Sequence, residues 1–243
     1  MTYDFDKLEK TLLKLDLNIT DRMKEQFAAY YEILIKWNQV MNLTSIIEFD
    51  EVVEKHFLDS IAMGYYIDLN HELKLIDVGT GAGFPGIPLK IVFPNIKVLL
   101  ADSLNKRVKF LNEVILQLNL EYITAVHGRA EELAQKELYR EQFDLCVSRA
   151  VANLASLSEY CLPFVKTGGK FIAYKSSNVD HEVEQSKNAI AMLGGDLEQV
   201  KKFFLPDTEY QRSFVIVDKI KHTKKKYPRK AGTPSKMPLG IER

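Results

Sequence analysis

The chain has 243 residues, and its 33 lysines and arginines balance its 33 aspartates and glutamates, so the formal net charge is zero. A hydrophobic content of 46% supports a core of ordinary size and excludes intrinsically disordered, collagen-like and polyanionic proteins. No apolar run reaches the roughly 18 residues of a membrane-spanning helix, so we expect no membrane contact. The charged start MTYDFDKLEK lacks a signal-peptide core, and two cysteines in apolar segments fit a reducing cytoplasm.

The first seventy residues are predicted to be helical, because apolar side chains recur three to four positions apart. The predicted helices cover 5–15, 23–38, 48–56 and 58–67. Thr20 or Asp21 is suited to cap the second helix, since a short side-chain oxygen accepts from the first free backbone N–H groups. No strand pattern occurs before residue 73, so we expect an N-terminal helical region over 1–70.

Beyond that point, short apolar runs alternate with helical stretches. The predicted strands cover 74–79, 97–102, 122–128, 143–150, 169–175, 197–205 and 213–220, and the helices cover 86–93, 104–118, 130–138, 153–162 and 180–193. Because the first five strands are almost continuously apolar, we expect a parallel sheet buried on both faces and joined by βαβ crossovers. The last two strands flank Pro206 and Asp207, which suits an antiparallel hairpin at the sheet edge. This α/β domain is predicted over 71–220, with the N-terminal helices packed on its sheet.

A glycine-rich loop follows the first predicted strand. Asp77 ends the strand, and Gly79, Gly81 and Gly83 follow in the segment DVGTGAGFPG, ahead of a predicted helix. Glycines allow a tight turn there and let a ligand approach the backbone closely. Asp102 ends the second strand, where a carboxylate can accept hydrogen bonds from both ribose hydroxyls of an adenosine. These positions predict a site for a nucleoside-bearing cofactor.

Two cofactors are compatible with this loop. The segment GAGFPG satisfies the G-x-G-x-x-G pattern of dinucleotide-binding proteins, so an NAD-dependent oxidoreductase is one alternative. The carboxylate of Asp77 would repel a pyrophosphate, whereas it would attract the ammonium and sulfonium groups of S-adenosylmethionine. We therefore predict S-adenosylmethionine as the cofactor.

The ends of the third and fourth strands supply further candidates. After the third strand, the backbone of Ala130 and Glu131 can read the edge of an adenine, although the segment equally suits ordinary helix initiation. At the end of the fourth strand, Arg149 is suited to contact the cofactor carboxylate or an RNA phosphate. A structural ion pair with a nearby acid is the alternative for Arg149.

The fourth strand also indicates the kind of methyl acceptor. It ends in SRA, without an Asn/Asp-Pro-Pro-aromatic segment for an exocyclic amine and without a Pro-Cys nucleophile. Guanine N7 needs neither, because its lone pair is already free. We therefore expect no catalytic general base, and the five scattered histidines predict no metal site.

The zero net charge conceals a basic C-terminal arm, residues 221–243. Residues 219–243 hold nine lysines and arginines and one acid, which leaves 24 basic and 32 acidic residues in 1–218. Such an arm suits either local contact with a polyanion or a solvated tail. Its prolines and glycine argue against a continuous helix. A non-catalytic module that binds RNA through this arm is a second alternative function.

Several segments together carry a family resemblance. They are Trp37-Asn38, Asn42-Leu43-Thr44, HFLDS at 56–60, IDVGTGAGFPGIP at 76–88, Asp102-Ser103, Lys106-Arg107, GRAE at 128–131, SRA at 148–150 and YPRKAGTP at 227–234. They extend over nearly the whole chain and resemble the ribosomal small-subunit RNA methyltransferase G family, also known as glucose-inhibited division protein B. The glycine loop alone is a weak signal, whereas its combination with the other segments is specific.

The resemblance implies a class I S-adenosylmethionine-dependent methyltransferase fold. This fold is Rossmann-like, with a mostly parallel seven-stranded sheet and an antiparallel last strand, and here carries an N-terminal helical extension. The resemblance also implies methylation of N7 of a guanine in the decoding-region loop of 16S rRNA in a bacterial cytoplasm. The expected partner is 16S rRNA or the small ribosomal subunit, and we expect a monomer.

The resemblance further implies individual contacts. It implies cofactor contacts at Gly79, Phe84, Ala130, Glu131 and Arg149. In the arm, we expect RNA contacts from Arg229, Lys230 and Lys236.

Some polar residues of these segments have no chemistry that the sequence assigns. Asn42, His56 and Asp59 fit a buried polar network and a guanine-binding role equally well. Ser176 departs from the glycine expected after Lys175, which leaves open the role of the loop after the fifth strand.

Overall fold

The computed structural model describes residues 3–240, so Glu242 and Arg243 of the arm lie outside the described residues. It contains a seven-stranded sheet in the order β3-β2-β1-β4-β5-β7-β6. The strands are β1 (Lys74–Val78), β2 (Lys97–Asp102), β3 (Ile123–His127), β4 (Phe143–Arg149), β5 (Val165–Ser176), β6 (Gly195–Phe204) and β7 (Gln211–Lys219). The helices are α1 (Asp6–Leu13), α2 (Asp21–Met41), α3 (Phe49–Val52), α4 (Asp59–Ile61), α5 (Gly86–Val92), α6 (Asn105–Gln117), α7 (Ala130–Leu133), α8 (Leu154–Cys161), α9 (Asp180–Met192) and α10 (Thr233–Lys236).

The strand pairing confirms the predicted α/β sheet. Strands β1 to β5 run parallel, and β7 lies antiparallel between β5 and β6. The last two strands form the predicted hairpin, with β6 at the edge. None of the helices in residues 3–240 combines the length and the apolar character that crossing a bilayer requires.

The sheet buries both of its faces, as the continuous apolar strands predict. Neighbouring residues of a strand face opposite sides. In β1, Leu75 packs in the cluster that contains Tyr30 of α2, whereas Ile76 packs in the cluster that contains Cys161 of α8. The N-terminal helices therefore share a core with one face of the sheet.

The N-terminal helices differ from the prediction at one place. The hydroxyl of Thr20 accepts from the N–H of Met23 at 3.2 Å and caps α2, as predicted. The two separate helices predicted over 48–56 and 58–67 are wrong, because the chain is helical without interruption from α3 to Tyr65. No glycine or proline lies between them, and a π-helical turn (Val53–Leu58) connects α3 to α4. Such a turn holds an extra residue and changes which side chains face the sheet.

The winding of the sheet reverses at β1. Strands β2 and β3 lie on one side of β1, and β4 and β5 lie on the other. Ligands of such sheets bind beyond the carboxyl ends of the strands at this reversal. The fold therefore brings the segments after β1, β2, β3 and β4 together at the carboxyl-terminal end of the sheet.

Candidate functional site

The glycine loop, residues 79–86, turns sharply after β1. Gly79 has φ +70°, a left-handed conformation that residues with side chains rarely adopt. A Cβ atom at this position would lie 2.5 Å from Cγ2 of Val151. The Gly79 N–H donates to the carbonyl of Ala101 in β2 at 2.8 Å. Both the turn and the close approach of Val151 therefore require glycine at position 79.

Asp77 closes the glycine loop from inside the protein. Its Oδ2 accepts from the hydroxyl of Thr80 at 2.7 Å and from the N–H of Gly86 at 2.9 Å. The side chain is fully buried, and this desolvation raises the pKa of Asp77 to about 6. Within residues 3–240, its second oxygen, Oδ1, has no hydrogen-bond partner. Asp77 therefore stabilises the loop, and its Oδ1 is a buried acceptor without a partner among these residues.

Asp102 ties the end of β2 to the same loop. Its Oδ2 accepts from the N–H of Gly81, and its Oδ1 accepts from the N–H of Leu104, both at 2.9 Å. Arg107 approaches Oδ2 at 3.4 Å. A carboxylate has about four lone-pair sites, so acceptor capacity for a ribose hydroxyl remains.

A cavity of about 240 Å³ opens beside the loop, and we call it the glycine-loop cavity. Its lining residues are Val78, Gly79, Ala101, Ser103, Gly128, Arg129, Ala130, Glu131, Val151, Ala152, Tyr160, Gly232 and Ser235. They come from the carboxyl ends of β1 to β4 and the segments that follow them, from α8 through Tyr160, and from the C-terminal arm. The carboxylate of Glu131 accepts from the N–H of Gly232 at 2.9 Å, so the arm is joined to this wall.

The C-terminal arm is anchored by an ion pair. Glu159 of α8 is fully buried, and its Oε2 lies 2.6 Å from Nη2 of Arg229. The Nε and backbone N–H of Arg229 donate to Oε1 at 3.0 and 2.7 Å, and Nη2 also donates to the carbonyl of Met237. Arg229 therefore anchors the arm, and its predicted contact with RNA stays a prediction.

Further contacts hold the arm against the sheet domain. Nη1 of Arg140 donates to the carbonyl of Tyr227 at 2.9 Å, and the Tyr227 side chain is buried. The arm contains turns and the short helix α10, which agrees with the expected lack of a continuous helix. Lys230 and Lys236, the other two residues predicted to bind RNA, are exposed.

A second cavity, of about 510 Å³, lies near the ends of β4, β5 and β7, and we call it the basic cavity. Its lining residues are Lys55, His56, Asp59, Arg149, Ala150, Tyr174, Lys175, Ser176, Glu182, Arg212, Ser213 and Phe214. Four of these residues are lysine or arginine and two are acidic. The lining therefore carries an excess of positive charge.

Asp59 joins two arginines in the wall of the basic cavity. Its Oδ2 accepts from Nη1 of Arg149 at 2.7 Å, and its Oδ1 accepts from Nε of Arg212 at 3.0 Å. The side chain of Asp59 is 7% exposed and that of Arg149 is 14% exposed, so water screens these pairs weakly. The structure thus gives Arg149 the ion pair that was its alternative, and its cofactor contact stays a prediction.

His56 is held neutral in the same wall. Its Nδ1 lies 3.3 Å from Nη2 of Arg149, and its Nε2 lies 2.9 Å from the hydroxyl of Thr44. Nδ1 also lies 3.1 Å from the carbonyl of Lys55, so both ring nitrogens have hydrogen-bonding partners. Burial, together with the charge of Arg149, lowers the pKa of His56 to about 3. The ring of Phe84 stacks on His56 with centroids 4.5 Å apart.

The polar residues of the N-terminal segment form the expected network. The side chain of Asn38 donates to the carbonyl of Thr44 at 2.8 Å and accepts from its N–H at 2.9 Å. Asn42 ends α2 in a left-handed conformation, and Thr44 connects this turn to His56. The network belongs to Asn38, Thr44 and His56, whereas the side chain of Asn42 is exposed.

The structure divides the predicted cofactor residues among three places. The glycine-loop cavity is lined by Gly79, Ala130 and Glu131. The loop beside it is built by Asp77, Gly81, Gly83 and Asp102. The wall of the basic cavity contains Arg149, and Phe84 stacks on His56 of that wall. The end of β4 separates the two cavities. Ala150 lines one cavity, and Val151 lines the other.

Several residues of these cavities were missed from the sequence. Arg212 lies 153 positions from Asp59, and only the register of β7 on β5, which pairs Arg212 with Ser176, brings it to the basic cavity. Lys55 and Glu159 carry no motif of their own. A charged residue in a helix ordinarily lies on a solvated face, so the sequence held no signal for either.

Comparisons with known proteins agree with this fold. The family model GidB, rRNA small subunit methyltransferase G, matches residues 23–214. The ribosomal RNA small subunit methyltransferase G of Lachnoclostridium phytofermentans is 54% identical over 228 residues, which cover 94% of each chain. Its namesake from Staphylococcus carnosus is 51% identical, covering 96% of this chain and 97% of that one. The crystal structure of M. jannaschii TYW2 in complex with AdoMet has a TM-score of 0.50 at 14% identity, covers 61% of this chain and 68% of that chain, and supports the fold alone.

The residues beside the glycine-loop cavity fit S-adenosylmethionine. Asp77 offers a buried carboxylate oxygen without a partner among residues 3–240, which suits a cationic group better than a pyrophosphate. Asp102 keeps acceptor capacity for ribose hydroxyls. Gly79 lines the cavity through its backbone alone, because a side chain there would collide with Val151.

We expect Asp102→Ala to weaken S-adenosylmethionine binding about ten- to hundred-fold. Hydrogen bonds to a charged acceptor contribute about 1.5–3 kcal/mol, which corresponds to this loss of affinity. Isothermal titration calorimetry measures the dissociation constant directly.

Asp144→Ala is the matched control for this variant. Asp144 accepts from the backbone N–H of Lys74 at 2.7 Å, at the amino-terminal ends of the strands and away from the cofactor site. The control should bind the cofactor as the wild type does. An unchanged dissociation constant in Asp102→Ala would remove Asp102 from the cofactor site.

We expect Arg229→Ala to lower the free energy of unfolding by about 3–5 kcal/mol, because it leaves the buried carboxylate of Glu159 unpaired. Cofactor affinity should fall as well, since Gly232 and Ser235 of the arm line the glycine-loop cavity. Chemical denaturation measures the free energy of unfolding, and calorimetry measures the cofactor affinity.

Lys230→Ala is the control and should change the free energy of unfolding by less than about 0.5 kcal/mol. Equal stability of the two variants would show that the ion pair does not anchor the arm.

Proposed function

Because the chain belongs to the rRNA small subunit methyltransferase G family, we propose that it methylates N7 of one guanine in the decoding-region loop of 16S rRNA. The chain is a methyltransferase that uses S-adenosylmethionine, so the oxidoreductase and the non-catalytic RNA-binding module are set aside. The family name supports a substrate in the small ribosomal subunit. We further propose that the enzyme acts as a monomer in the bacterial cytoplasm, on 16S rRNA or on the small subunit.

The choice of N7 rests on one observation, which is that every side chain around the basic cavity that could accept a proton is already paired. His56 is neutral, and both its ring nitrogens have partners. Asp59 is paired with two arginines, and Glu182 is paired with Lys175 at 2.7 Å. No residue in this lining is therefore free to take a proton from a substrate amine. An acceptor with a free lone pair, such as guanine N7, fits this site best.

Methyl transfer to N7 requires alignment rather than proton transfer. When bound, S-adenosylmethionine would supply a methyl group on a sulfonium, whose sulfur would keep the electron pair of the broken bond. The N7 lone pair forms the new bond to carbon, no proton leaves, and the positive charge passes to the purine. The chain contributes by holding donor and acceptor in line, an effect of up to about 7–11 kcal/mol in well-oriented reactions.

The two cavities support this alignment. The glycine-loop cavity and the basic cavity lie on either side of Ala150 and Val151, at the end of β4. A cofactor held by Asp77, Asp102 and the glycine loop would therefore direct its methyl group toward the basic cavity. The guanine would enter from that side.

A transfer assay tests the proposed function. The enzyme is incubated with labelled S-adenosylmethionine and small subunits or 16S rRNA from a strain that lacks the enzyme, with 23S rRNA as the control substrate. After digestion to nucleosides, we expect the label in 7-methylguanosine from 16S rRNA alone. Label in another nucleoside, or no transfer to either small-subunit substrate, would contradict the proposal.

The pH dependence of the chemical step follows from two groups. His56, with its pKa lowered by burial to about 3, stays neutral, and Asp77, with its pKa raised by burial to about 6, is mainly ionised above that pH. Single-turnover methylation at saturating cofactor and RNA should therefore be flat between about pH 7 and 9. Below about pH 6, protonation of Asp77 should weaken cofactor binding, and Asp77→Asn should remove this acid limb. A rise with slope one between about pH 7 and 9, assigned to the chemical step, would reveal a general base.

The exposed lysines of the arm are proposed to contact RNA phosphates. We expect Lys230→Ala with Lys236→Ala to weaken RNA binding and to make its salt dependence shallower by about 0.7–0.9 log units for each phosphate that is no longer neutralised. Cofactor affinity should not change, because both side chains are exposed. The matched control, Lys36→Ala with Lys187→Ala, removes the same charge from exposed sites on α2 and α9. If both double variants show the same salt slope as the wild type, the arm does not bind phosphates through these lysines.

A further inference from the structure

We propose that the basic cavity binds the target nucleotide through its phosphodiester, with Arg212 as the main phosphate ligand and Lys175 beside it. The proposal rests on the proposed function, because it names the place where the guanosine substrate is held. It assigns a substrate role to residues of β5 and β7 that no sequence motif marks.

Arg212 has free hydrogen-bonding capacity. Its Nε donates to Asp59 and its Nη1 donates to the carbonyl of Gln211 at 3.0 Å. Among the described residues, its Nη2 donates to no acceptor, and the side chain is 26% exposed. A guanidinium presents a planar fork that matches two phosphate oxygens, so the remaining donors suit an RNA phosphate.

The surroundings of Arg212 favour an anion. The basic cavity combines Lys55, Arg149, Lys175 and Arg212 with only two acids in its lining. Nζ of Lys175 pairs with Glu182 at 2.7 Å and donates to the carbonyl of Ala152 at 2.8 Å, which leaves one of its three donors for a phosphate. A phosphate entering this cavity would meet an excess of positive charge at short range.

The position of Arg212 distinguishes a phosphate from the carboxylate of the cofactor. Strands β4 and β5 lie between β1 and β7, so β7 is three strand spacings from the glycine loop. Three spacings of about 4.8 Å separate the backbones of β1 and β7 by on the order of 14 Å along the sheet. The carboxylate would lie near the end of β1, whereas a nucleotide approaching from outside would reach β7.

The size of the basic cavity suits an extruded nucleotide. Its volume of about 510 Å³ lies within the range of about 300–1,000 Å³ typical of small-ligand sites. Enzymes that modify a base take it out of its stack into such a pocket. With the phosphate on Arg212, the base would lie toward Ala150, the residue that separates the two cavities.

Asp59 is the positioning residue of this site. By accepting from both Arg149 and Arg212, its carboxylate holds two guanidinium groups close together that would otherwise repel each other. In Arg212→Gln, Asp59 keeps Arg149 as its partner, so no buried charge is left unpaired. This variant is therefore suited to a functional test.

The test measures RNA binding and methyl transfer separately for wild type, Arg212→Gln, Arg212→Lys and Lys175→Gln. Binding of 16S rRNA is measured over a range of salt concentrations, and cofactor binding by calorimetry. We expect Arg212→Gln to raise the RNA dissociation constant and the KM for RNA about ten-fold, and to make the salt slope shallower by about 0.7–0.9. Lys175→Gln should act in the same direction, and Arg212→Lys should restore the slope but only part of the affinity.

Cofactor binding and a distant control make the outcome decisive. S-adenosylmethionine affinity should stay within about two-fold of wild type, and Lys166→Gln, at the opposite end of β5, should change nothing. Wild-type RNA affinity and salt slope in both Arg212→Gln and Lys175→Gln would overturn the proposal, as would a loss confined to cofactor binding. Because binding is measured apart from transfer, an RNA-binding defect alongside a wild type that makes no 7-methylguanosine would support this site and reject the proposed function.

Discussion

The carboxylate of Asp59 is the point at which three parts of the protein meet. Asp59 follows the π-helical turn of the N-terminal region, Arg149 ends β4 and Arg212 is the second residue of β7. A weakly exposed carboxylate between two guanidinium groups gains from both, and removing Asp59 itself would cost about 3–5 kcal/mol because both arginines would lose their shared partner. This arrangement fixes where the helical region lies on the sheet, and it also fixes the wall of the basic cavity.

The two cavities depend on this arrangement and on the reversal of winding at β1. The glycine-loop cavity lies where β1 to β4 end, and the basic cavity continues the same edge toward β5 and β7. Ala150 has φ +57°, an uncommon conformation for a residue with a side chain, and with Val151 it forms the boundary between the cavities. The methyl donor and the methyl acceptor would therefore meet at this short segment. On the donor side, Gly232 and Ser235 of the C-terminal arm line the glycine-loop cavity.

Local patterns in the sequence predicted much of this structure. The cap at Thr20, the apolar strands and the glycine loop depend on neighbours within a few positions, so spacing alone indicated them. Long-range pairing did not leave such a signal. Arg229 was predicted to contact RNA, and its ion pair was missed because its partner, Glu159, lies 70 positions earlier and carries no motif. Arg212 was missed because its role depends on the register between β5 and β7. The continuous helical run was missed because a π turn has no sequence pattern of its own.

The central claim is that this enzyme makes one N7-methylated guanine in 16S rRNA, and mapping that base in cells tests it most directly. 16S rRNA is isolated from a strain that lacks the enzyme and from the same strain carrying the wild-type chain, and 7-methylguanosine is located by chemical cleavage. We predict one cleavage in the decoding-region loop that disappears in the deletion strain and returns with the wild-type chain. An identical cleavage pattern in both strains, or loss of a modification at another base, would contradict this claim.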